Sequence, residues 1–203
     1  MVVKTLIFGK YSTEGVIVKD PGIAKYLNLN APIVPHSHGR FAKKTWRRLY
    51  VPVIERLINK LMRTGQGKRK LSGKYIRGRG VTGNKMLAMN IVTQAFELIE
   101  KQSKQNPVQV LVQSIENTAP REDTTKIQRG GVAYTVSVDV GPQRRIDESL
   151  KNIALAAFQK SFKSKTSASD ALANEILLAS KNDNQSFAIK RRDEIERIAK
   201  SSR

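Results

Sequence analysis

The chain has 203 residues, no cysteine, and 37 Lys and Arg against 17 Asp and Glu, which gives a formal net charge of +20. A chain of this length buries one sizeable core, and the absence of cysteine excludes a disulfide framework, a thiolate metal site and a cysteine nucleophile. No apolar run approaches the ~20 residues of a membrane span, and the apolar start is too short for a signal peptide, so we expect a soluble intracellular protein.

The first part of the chain, residues 1–51, shows no sustained periodicity. Its stretch "VVKTLIF" predicts a short strand, and the prolines of "NAPIVPHSHGR" favour extended chain. We expect residues 1–35 to be a partly extended N-terminal extension. His36 and His38 could share a metal, but two ligands without a nearby cysteine or carboxylate make no closed site, so surface or RNA contacts are the expectation.

A basic block follows over residues 40–85, where fifteen Lys and Arg face a single acid, Glu55. A field of this density repels itself unless a polyanion neutralises it, which favours nucleic acid over a merely solvated surface. A membrane surface is disfavoured because the block lacks an amphipathic helix rich in Trp, Phe and Leu. Trp46 lies in the densest part of the block. It could stack on a base, but we expect it to be part of the core.

Apolar residues at helical spacing predict the first three helices. Pro52 is predicted as the first helical residue of a run that Gly65 ends. A second helix is expected over residues 84–104, and Asn106-Pro107 predicts the capped start of a third, which Pro120 closes.

Between the first two helices lies a basic, Gly-rich loop, residues 65–83. Its "GRGVTG" matches the spacing of a dinucleotide-binding fingerprint. That motif must follow an apolar strand in a βαβ unit, whereas "GKRKLSGKYIR" precedes it here, so a flexible cationic loop is the preferred interpretation.

A β-hairpin is predicted over residues 122–141. Gly130-Gly131 supplies the positive φ angles of a two-residue turn, and strict alternation from Val132 to Val140 indicates a half-buried strand. An isolated hairpin is barely stable in water, so its base should pack on the helices while its basic tip meets a partner.

Three further helices complete the chain. An apolar stripe begins at Ile146, Ser167 and Asp170 form a capping box ahead of the next helix, and "FAIKRRDEIERIAK" gives the last. The predicted fold is therefore mainly α, a bundle-like domain of about six helices with one protruding hairpin. The residues at the centres of the apolar stripes are expected to be buried: Leu57, Leu61, Phe96, Leu111, Leu150 and Phe158.

The sequence offers no catalytic constellation. Glu122-Asp123 is the acidic pair near the hairpin, and beside Arg121 it indicates a local ion pair rather than a catalytic dyad. No nucleophile, base and orienting group can be assembled, so we expect no enzyme activity, cofactor, metal or small-molecule substrate.

Cations distributed along residues 36–203 form the predicted RNA-binding surface of a single helical domain. Each cation that neutralises a phosphate adds salt-dependent affinity, and folded RNA is recognised mainly by shape. The predicted RNA-binding residues are Arg40, Lys43, Lys44, Arg47, Arg48, Lys68, Arg69, Lys70, Arg77, Arg79, Arg121, Lys126, Arg129, Arg144, Arg145, Lys190, Arg191, Arg192 and Arg203.

Several blocks resemble one known family in order and spacing. "APREDTTKIQRGG", "VDVGPQRR", "NPVQVLVQSIENT" and "SFAIKRRDEIERIAKSSR" resemble the ribosomal protein seven family of the small subunit, and "PHSHGRFAKK" and "PVIERLINKLM" resemble its eukaryotic cytosolic form. The resemblance covers residues 36–203. The loop 65–83 is longer and more basic than the family's usual loop.

The resemblance implies a structural constituent of the small ribosomal subunit. Such a protein binds ribosomal RNA in the head, supports head assembly, and places its hairpin near the exit-site transfer RNA and the messenger RNA. Lys126 and Arg129 would match the basic positions near the hairpin tip. Neighbouring proteins of head and platform would be partners, and the protein would be cytoplasmic, in the ribosome, after transit through the nucleus and nucleolus.

Two other classes stay open. A free-standing RNA- or DNA-binding regulator would bind as an isolated protein and be largely ribosome-free. A nucleic-acid enzyme would show turnover that a single carboxylate substitution abolishes.

Overall fold

The computed structural model describes residues 6–41, 43–44, 46–65, 70–71, 74–75 and 83–203. The described helices are α1 (Pro21–Ala24), α2 (Val53–Leu61), α3 (Lys85–Ser103), α4 (Pro107–Thr118), α5 (Pro142–Ser161), α6 (Ala168–Ser180) and α7 (Phe187–Ser201), with a short 3-10 turn at Arg47–Leu49. The described strands are β1 (Lys70–Leu71), β2 (Lys74–Tyr75), β3 (Glu122–Arg129) and β4 (Val132–Asp139).

The mainly α architecture with a hairpin arm is confirmed. The six predicted helices correspond to α2–α7. The sequence did not predict the four-residue α1 or the two-residue pair of β1 with β2. Within the described residues, no helix combines the length and apolarity needed to cross a membrane.

Side-chain caps define where most helices begin. Asn84, Asn106, Ser167 and Ser186 each accept a hydrogen bond from a backbone N–H of the first turn, as Asn, Ser and related residues do at N-caps. The prediction that Pro52 is the first helical residue is wrong by one position. Its ψ of 144° is extended, so Pro52 is the N-cap of α2 and Val53 begins the helix.

The core lies where α6 packs against α3, α4 and α5, with α2 packed on α3 and α5. Predicted core residues Leu57, Phe96, Leu111 and Leu150 are fully buried. Two predicted core residues, Leu61 and Phe158, are only partly buried. Leu61 is the last residue of its helix, and Phe158 lies near the end of α5, where its ring contacts the exposed Phe162 at 5.3 Å between centroids.

The segment before α2 contributes to the same core. Ile7, Tyr11, Ile23 and Leu27 are buried in the apolar cluster that contains α3 and α4 side chains. Ile7 and Tyr11 form an isolated antiparallel bridge; the predicted strand "VVKTLIF" otherwise lies mostly outside the described residues. The boundary at residue 35 stays a prediction.

The hairpin has the predicted register and turn. β3 and β4 pair from Glu122↔Asp139 to Arg129↔Val132, and Gly130 and Gly131 have φ of 57° and 82°. These are angles of the left-handed region, which glycine adopts without steric cost.

The expectation that β4 is half-buried is wrong, because most of its residues are exposed. Tyr134, for example, is 54% exposed. Helix α7 reaches only the base of the hairpin, where the Ser137 N–H donates to the Ser202 carbonyl at 3.3 Å. The alternation along β4 therefore groups apolar side chains on one face, and on the half nearer the turn Val132 and Tyr134 of that face are exposed.

Candidate nucleic-acid interface

The densest predicted cluster forms an exposed basic surface. Arg40, Lys43, Lys44 and Arg48 are exposed. The Lys44 ammonium lies over the Tyr50 ring at 4.7 Å from its centroid, and that ring stacks on Phe41 at 5.7 Å. Such cation–π contacts hold an ammonium without neutralising it, so the charge stays available to an anion. The Arg47 side chain lies outside the described residues.

Trp46 is not part of the core, contrary to the expectation. Its indole is 68% exposed. The residue has a φ of 59° and directly precedes the 3-10 turn, so neither a helix nor a strand directs its side chain inward. The indole lines an open cleft of about 650 Å³ together with Lys44, Arg48 and the start of α5.

A second cleft, of about 360 Å³, lies between α2 and α5. In this cleft, Asp147 of α5 accepts from Arg56 Nη2 at 3.2 Å and forms ion pairs with Arg48 Nη1 at 2.7 Å and Lys60 Nζ at 3.3 Å. Burial alone would raise the pKa of Asp147, but the charges of Arg56, Lys60 and Arg48 outweigh it and hold the pKa below its ordinary value. Asp147 is therefore an ionised anchor for three cations.

Glu55, the single acid of the basic block, is also an anchor. Its buried carboxylate accepts from Lys85 Nζ at 2.7 Å and from the backbone N–H and hydroxyl of Ser37 at 2.9 and 3.0 Å. These bonds fasten the segment containing His36 and His38, whose rings stack at 4.0 Å between centroids, to α2 and α3. Among the described residues, no group of three or more His, Asp or Glu lies close enough to hold a metal ion.

The acidic pair at the hairpin base is ion-paired, though not with its neighbour in sequence. Asp123 Oδ2 accepts from Arg144 Nη2 at 2.8 Å, and Glu122 pairs with Arg203. Arg121 is exposed, and its backbone N–H donates to Glu196. These bonds join the start of β3 at the hairpin base to α5, to α7 and to Arg203, which follows α7.

Among the predicted RNA-binding residues whose side chains the structure describes, Arg145 is the buried one. Its Nη2 donates to Asp20 Oδ2 at 2.7 Å, and Asp20 also accepts from the Gly22 N–H as the N-cap of α1. Burial would raise the pKa of Asp20, yet the hydrogen bonds from Arg145 and Gly22 lower it below its ordinary value. This pair fastens α1 to α5.

On α7, Lys190 is exposed, whereas Arg191 and Arg192 have partners. Arg191 pairs with Glu194 at 2.5 Å, one turn along the helix. Arg192 donates to the Asn117 carbonyl at the end of α4 and pairs with Asp193. A cation at the carboxyl end of a helix satisfies its free carbonyls, so Arg192 helps to dock α7 on α4.

The remaining predicted residues lie at the hairpin tip and in the long loop. Lys126 is exposed on β3, and the Arg129 side chain lies outside the described residues. So do Lys68, Arg69, Arg77 and Arg79, the side chain of Lys70, and all but Gly83 of the "GRGVTG" stretch.

Three cations of α2 and of the turn that follows it were missed by the sequence prediction. Arg56, Lys60 and Arg63 line the cleft above Asp147. Their spacing of four and then three residues is the spacing of one helix face, and this was the signal that could have identified them.

Comparison with known proteins identifies the family. The family model described as ribosomal protein S7p/S5e matches residues 23–203. The chain belongs to the ribosomal protein S7p/S5e family. It is 47% identical over 198 residues to the small ribosomal subunit protein uS7 of Picrophilus torridus, covering 98% of both chains.

Two further relatives of the family extend this likeness. The proteins named small ribosomal subunit protein uS7 from Methanothermobacter thermautotrophicus and Thermoplasma volcanium are each 46% identical over 198 residues. The alignments cover 98% of this chain and 99% and 100% of the two relatives. The family likeness therefore includes most of the segment before residue 36.

Proposed function

We propose that this protein binds ribosomal RNA in the head of the small ribosomal subunit through its basic surface, supports assembly of the head, and presents its hairpin to the exit-site transfer RNA and the messenger RNA. As a member of the ribosomal protein S7p/S5e family, it is a structural, non-enzymatic constituent of the small subunit. The proposal concerns which surfaces meet which partners.

The exposed cations around Trp46 carry the RNA-binding proposal. Arg40, Lys43 and Lys44 are exposed in the segment just before the exposed Trp46 indole, and Lys44 lines the same cleft as the indole. Such residues neutralise phosphates and offer a stacking plane for a base. Arg144 adds a further exposed guanidinium across the same cleft. A protein without an anionic partner would have no use for this concentration of unscreened charge.

The hairpin supports the second part of the proposal. It leaves the helical body at a base held by Arg144 and Arg203, while Lys126 is exposed on β3 in the half nearer the turn. A basic tip on a long exposed arm suits an RNA-lined gap that a compact helical body cannot enter. Its exposed apolar face suits contact with a neighbouring protein of the head or platform.

A sedimentation experiment tests the assignment to the ribosome. Lysate is resolved on a sucrose gradient and the chain is detected in each fraction. We expect it in small-subunit-sized particles, monosomes and polysomes in the cytoplasm. A largely ribosome-free chain would favour the free-standing regulator. The expected passage through the nucleus and nucleolus stays a prediction. Pulse-labelled, tagged protein that appears first in the nucleus and later in the cytoplasm would support it.

Charge neutralisation tests the RNA surface. In one variant Arg40, Lys43, Lys44, Arg47 and Arg48 become Gln. A matched control changes five exposed lysines near the opposite end of α5 to Gln: Lys101, Lys104, Lys163, Lys165 and Lys181. In filter binding to transcribed head-domain RNA, each lost phosphate contact should reduce the slope of log K against log salt by a little under ~1. If the two variants have equal slopes of log K against log salt, the RNA-binding surface does not include the five cations around Trp46.

Shortening the hairpin across residues 126–136, with a new tight turn, tests the exit-site role. The fold should survive because this segment is mainly exposed, and RNA binding by the body should persist. Ribosomes carrying the shortened chain should hold exit-site transfer RNA less firmly and show altered decoding fidelity. Unchanged exit-site occupancy and fidelity would refute the role, and failure to fold would show that the hairpin is structural.

A further inference from the structure

The guanidinium of Arg56, which lines the cleft between α2 and α5, is buried and has two donors without a partner. Arg56 is only 5% exposed, and its Nη2 donates to Asp147. Its Nε and Nη1 are buried and have no hydrogen-bond partner. A buried donor without an acceptor is costly, and a buried charged donor more so.

The rest of the cleft carries an excess of positive charge. Arg48, Arg56, Lys60 and Arg63 line it against one carboxylate, Asp147. Because Asp147 already lies within ion-pair distance of three of these cations, it serves to hold them together rather than to cancel them. An anion entering the cleft meets a net charge of about +3 in a partly desolvated place, where attraction is stronger than at an open surface.

We propose that this cleft binds one backbone phosphate of the ribosomal RNA, with Arg56 and Lys60 of α2 and Arg63 of the turn after α2 donating to it. The proposal rests on the RNA-binding function proposed above and adds a binding point that the sequence prediction did not include. An arginine presents several donors in a fixed plane, which matches the oxygens of a phosphate. Asp147 is the positioning residue that keeps the Arg56 guanidinium in this orientation.

The cleft adjoins the surface around Trp46 without being the same site. Arg48 lines both clefts, so the two adjoin at this residue. A strand of RNA whose base stacks on the indole could therefore run onward with a phosphate in the α2–α5 cleft.

Single substitutions with a charge-matched control test the proposal in the full chain. Arg63→Gln changes an exposed residue that lines the cleft and should leave the fold intact. Arg56→Gln removes the buried guanidinium that lines the cleft. Lys101→Gln, on an exposed part of α3, removes the same charge elsewhere. In filter binding to transcribed head-domain RNA, Arg56→Gln should weaken binding about ten- to a hundredfold, as expected for a hydrogen bond to a charged group. Arg63→Gln should weaken binding less, by severalfold, and Lys101→Gln by less than about twofold.

A spectroscopic measurement keeps the test independent of folding. In the parent chain labelled with ¹⁵N-arginine, the Arg56 Nε resonance, assigned by its loss in Arg56→Gln or by through-bond correlation, should shift when the RNA binds. The Arg63→Gln variant should retain its melting temperature, so that its weaker binding reports the cleft.

The outcomes separate this inference from the proposed function. If the parent chain does not bind the RNA, the proposed function fails. If the parent binds but Arg56→Gln and Arg63→Gln match Lys101→Gln and the Arg56 resonance does not move, the phosphate cleft is wrong while the function stands. If inorganic phosphate shifts the resonance and the RNA does not, the cleft is a site for a free anion and the assignment to RNA is overturned.

Discussion

Replacing Phe96 with Ala should destabilise the protein strongly and loosen the segment before α1. Phe96 is fully buried on α3. Its ring meets the Phe8 ring edge-on at 6.2 Å and the Tyr11 ring at 5.9 Å between centroids. These three rings connect the start of the chain to the helical core, so the substitution leaves a cavity at that junction.

The expected cost follows from the cavity and the lost aromatic contacts. Truncating a buried Phe to Ala costs about 3–5 kcal/mol. Each edge-to-face aromatic pair contributes about 0.5–1.5 kcal/mol beyond its buried area, part of which the cavity cost already contains. We therefore expect the upper half of the range, about 4–5 kcal/mol, which is a large fraction of the 5–15 kcal/mol that stabilises a typical domain.

Urea unfolding of the full chain measures this cost, with Phe158→Ala as the comparison. Phe158 is only partly buried, so its truncation should cost about 1–2 kcal/mol. Hydrogen exchange gives the local readout, because the N–H groups of Ile7 and Tyr11 each donate to the other residue's carbonyl. Their exchange should accelerate more than that of α4 amides in Phe96→Ala. Equal costs for the two substitutions, or unchanged exchange at residues 7 and 11, would refute the reasoning.

The remaining predictions concern buried ionisable groups. Glu175 is fully buried and accepts from the Ser186 hydroxyl and the Ala188 N–H at the start of α7. Glu175→Ala should therefore lower the free energy of unfolding in urea by about 3 kcal/mol, and Glu175→Gln by clearly less. Equal losses for the two variants would show that these hydrogen bonds contribute little. Because the pKa of Asp147 is lower in the folded state, its ionised form stabilises the fold above the unfolded pKa, near 4, and this stability is lost as pH falls through the folded pKa. The melting temperature of Asp147→Asn should therefore depend less on acid pH than that of the parent. Burial and the neighbouring Glu100 raise the pKa of Tyr11 to about 12. The protonated Tyr11 therefore contributes to the free energy of unfolding below pH ~10, and this contribution is lost as pH rises through the folded pKa. Tyr11→Phe should lack this part of the alkaline loss of stability, and an alkaline profile identical to that of the parent would contradict the prediction.

The helices could be predicted because their signals are local. Apolar residues three and four apart placed α2–α7, and side chains at Asn106 and Ser167 cap their own helices through bonds to backbone groups two or three residues away. The hairpin turn was equally local, since Gly130 and Gly131 occupy the left-handed region that a two-residue turn requires.

Burial of the hairpin and of Trp46 could not be predicted in the same way. Alternation along β4 correctly groups Tyr134 and Val136 on one face, but it does not say whether another element covers that face. Trp46 has no periodic neighbours, so the general preference of large aromatic side chains for the interior was the available guide, and the turn overrides it.

The interface shows why charge balance has to be taken in space rather than along the chain. In sequence, the basic block has one acid, Glu55, and nothing distinguishes one of its cations from another. In the fold, Asp147, about ninety residues from Arg56, comes to lie beside Arg48 of the 3-10 turn and Arg56 and Lys60 of α2, and holds these three cations together. Long-range anchors of this kind decide which cations are fixed and which are free to meet an anion. Substituting Asp147 should therefore weaken RNA binding even though it makes the protein more positive, because the ordered donors of Arg56 are worth more to a phosphate than one additional unit of unplaced charge.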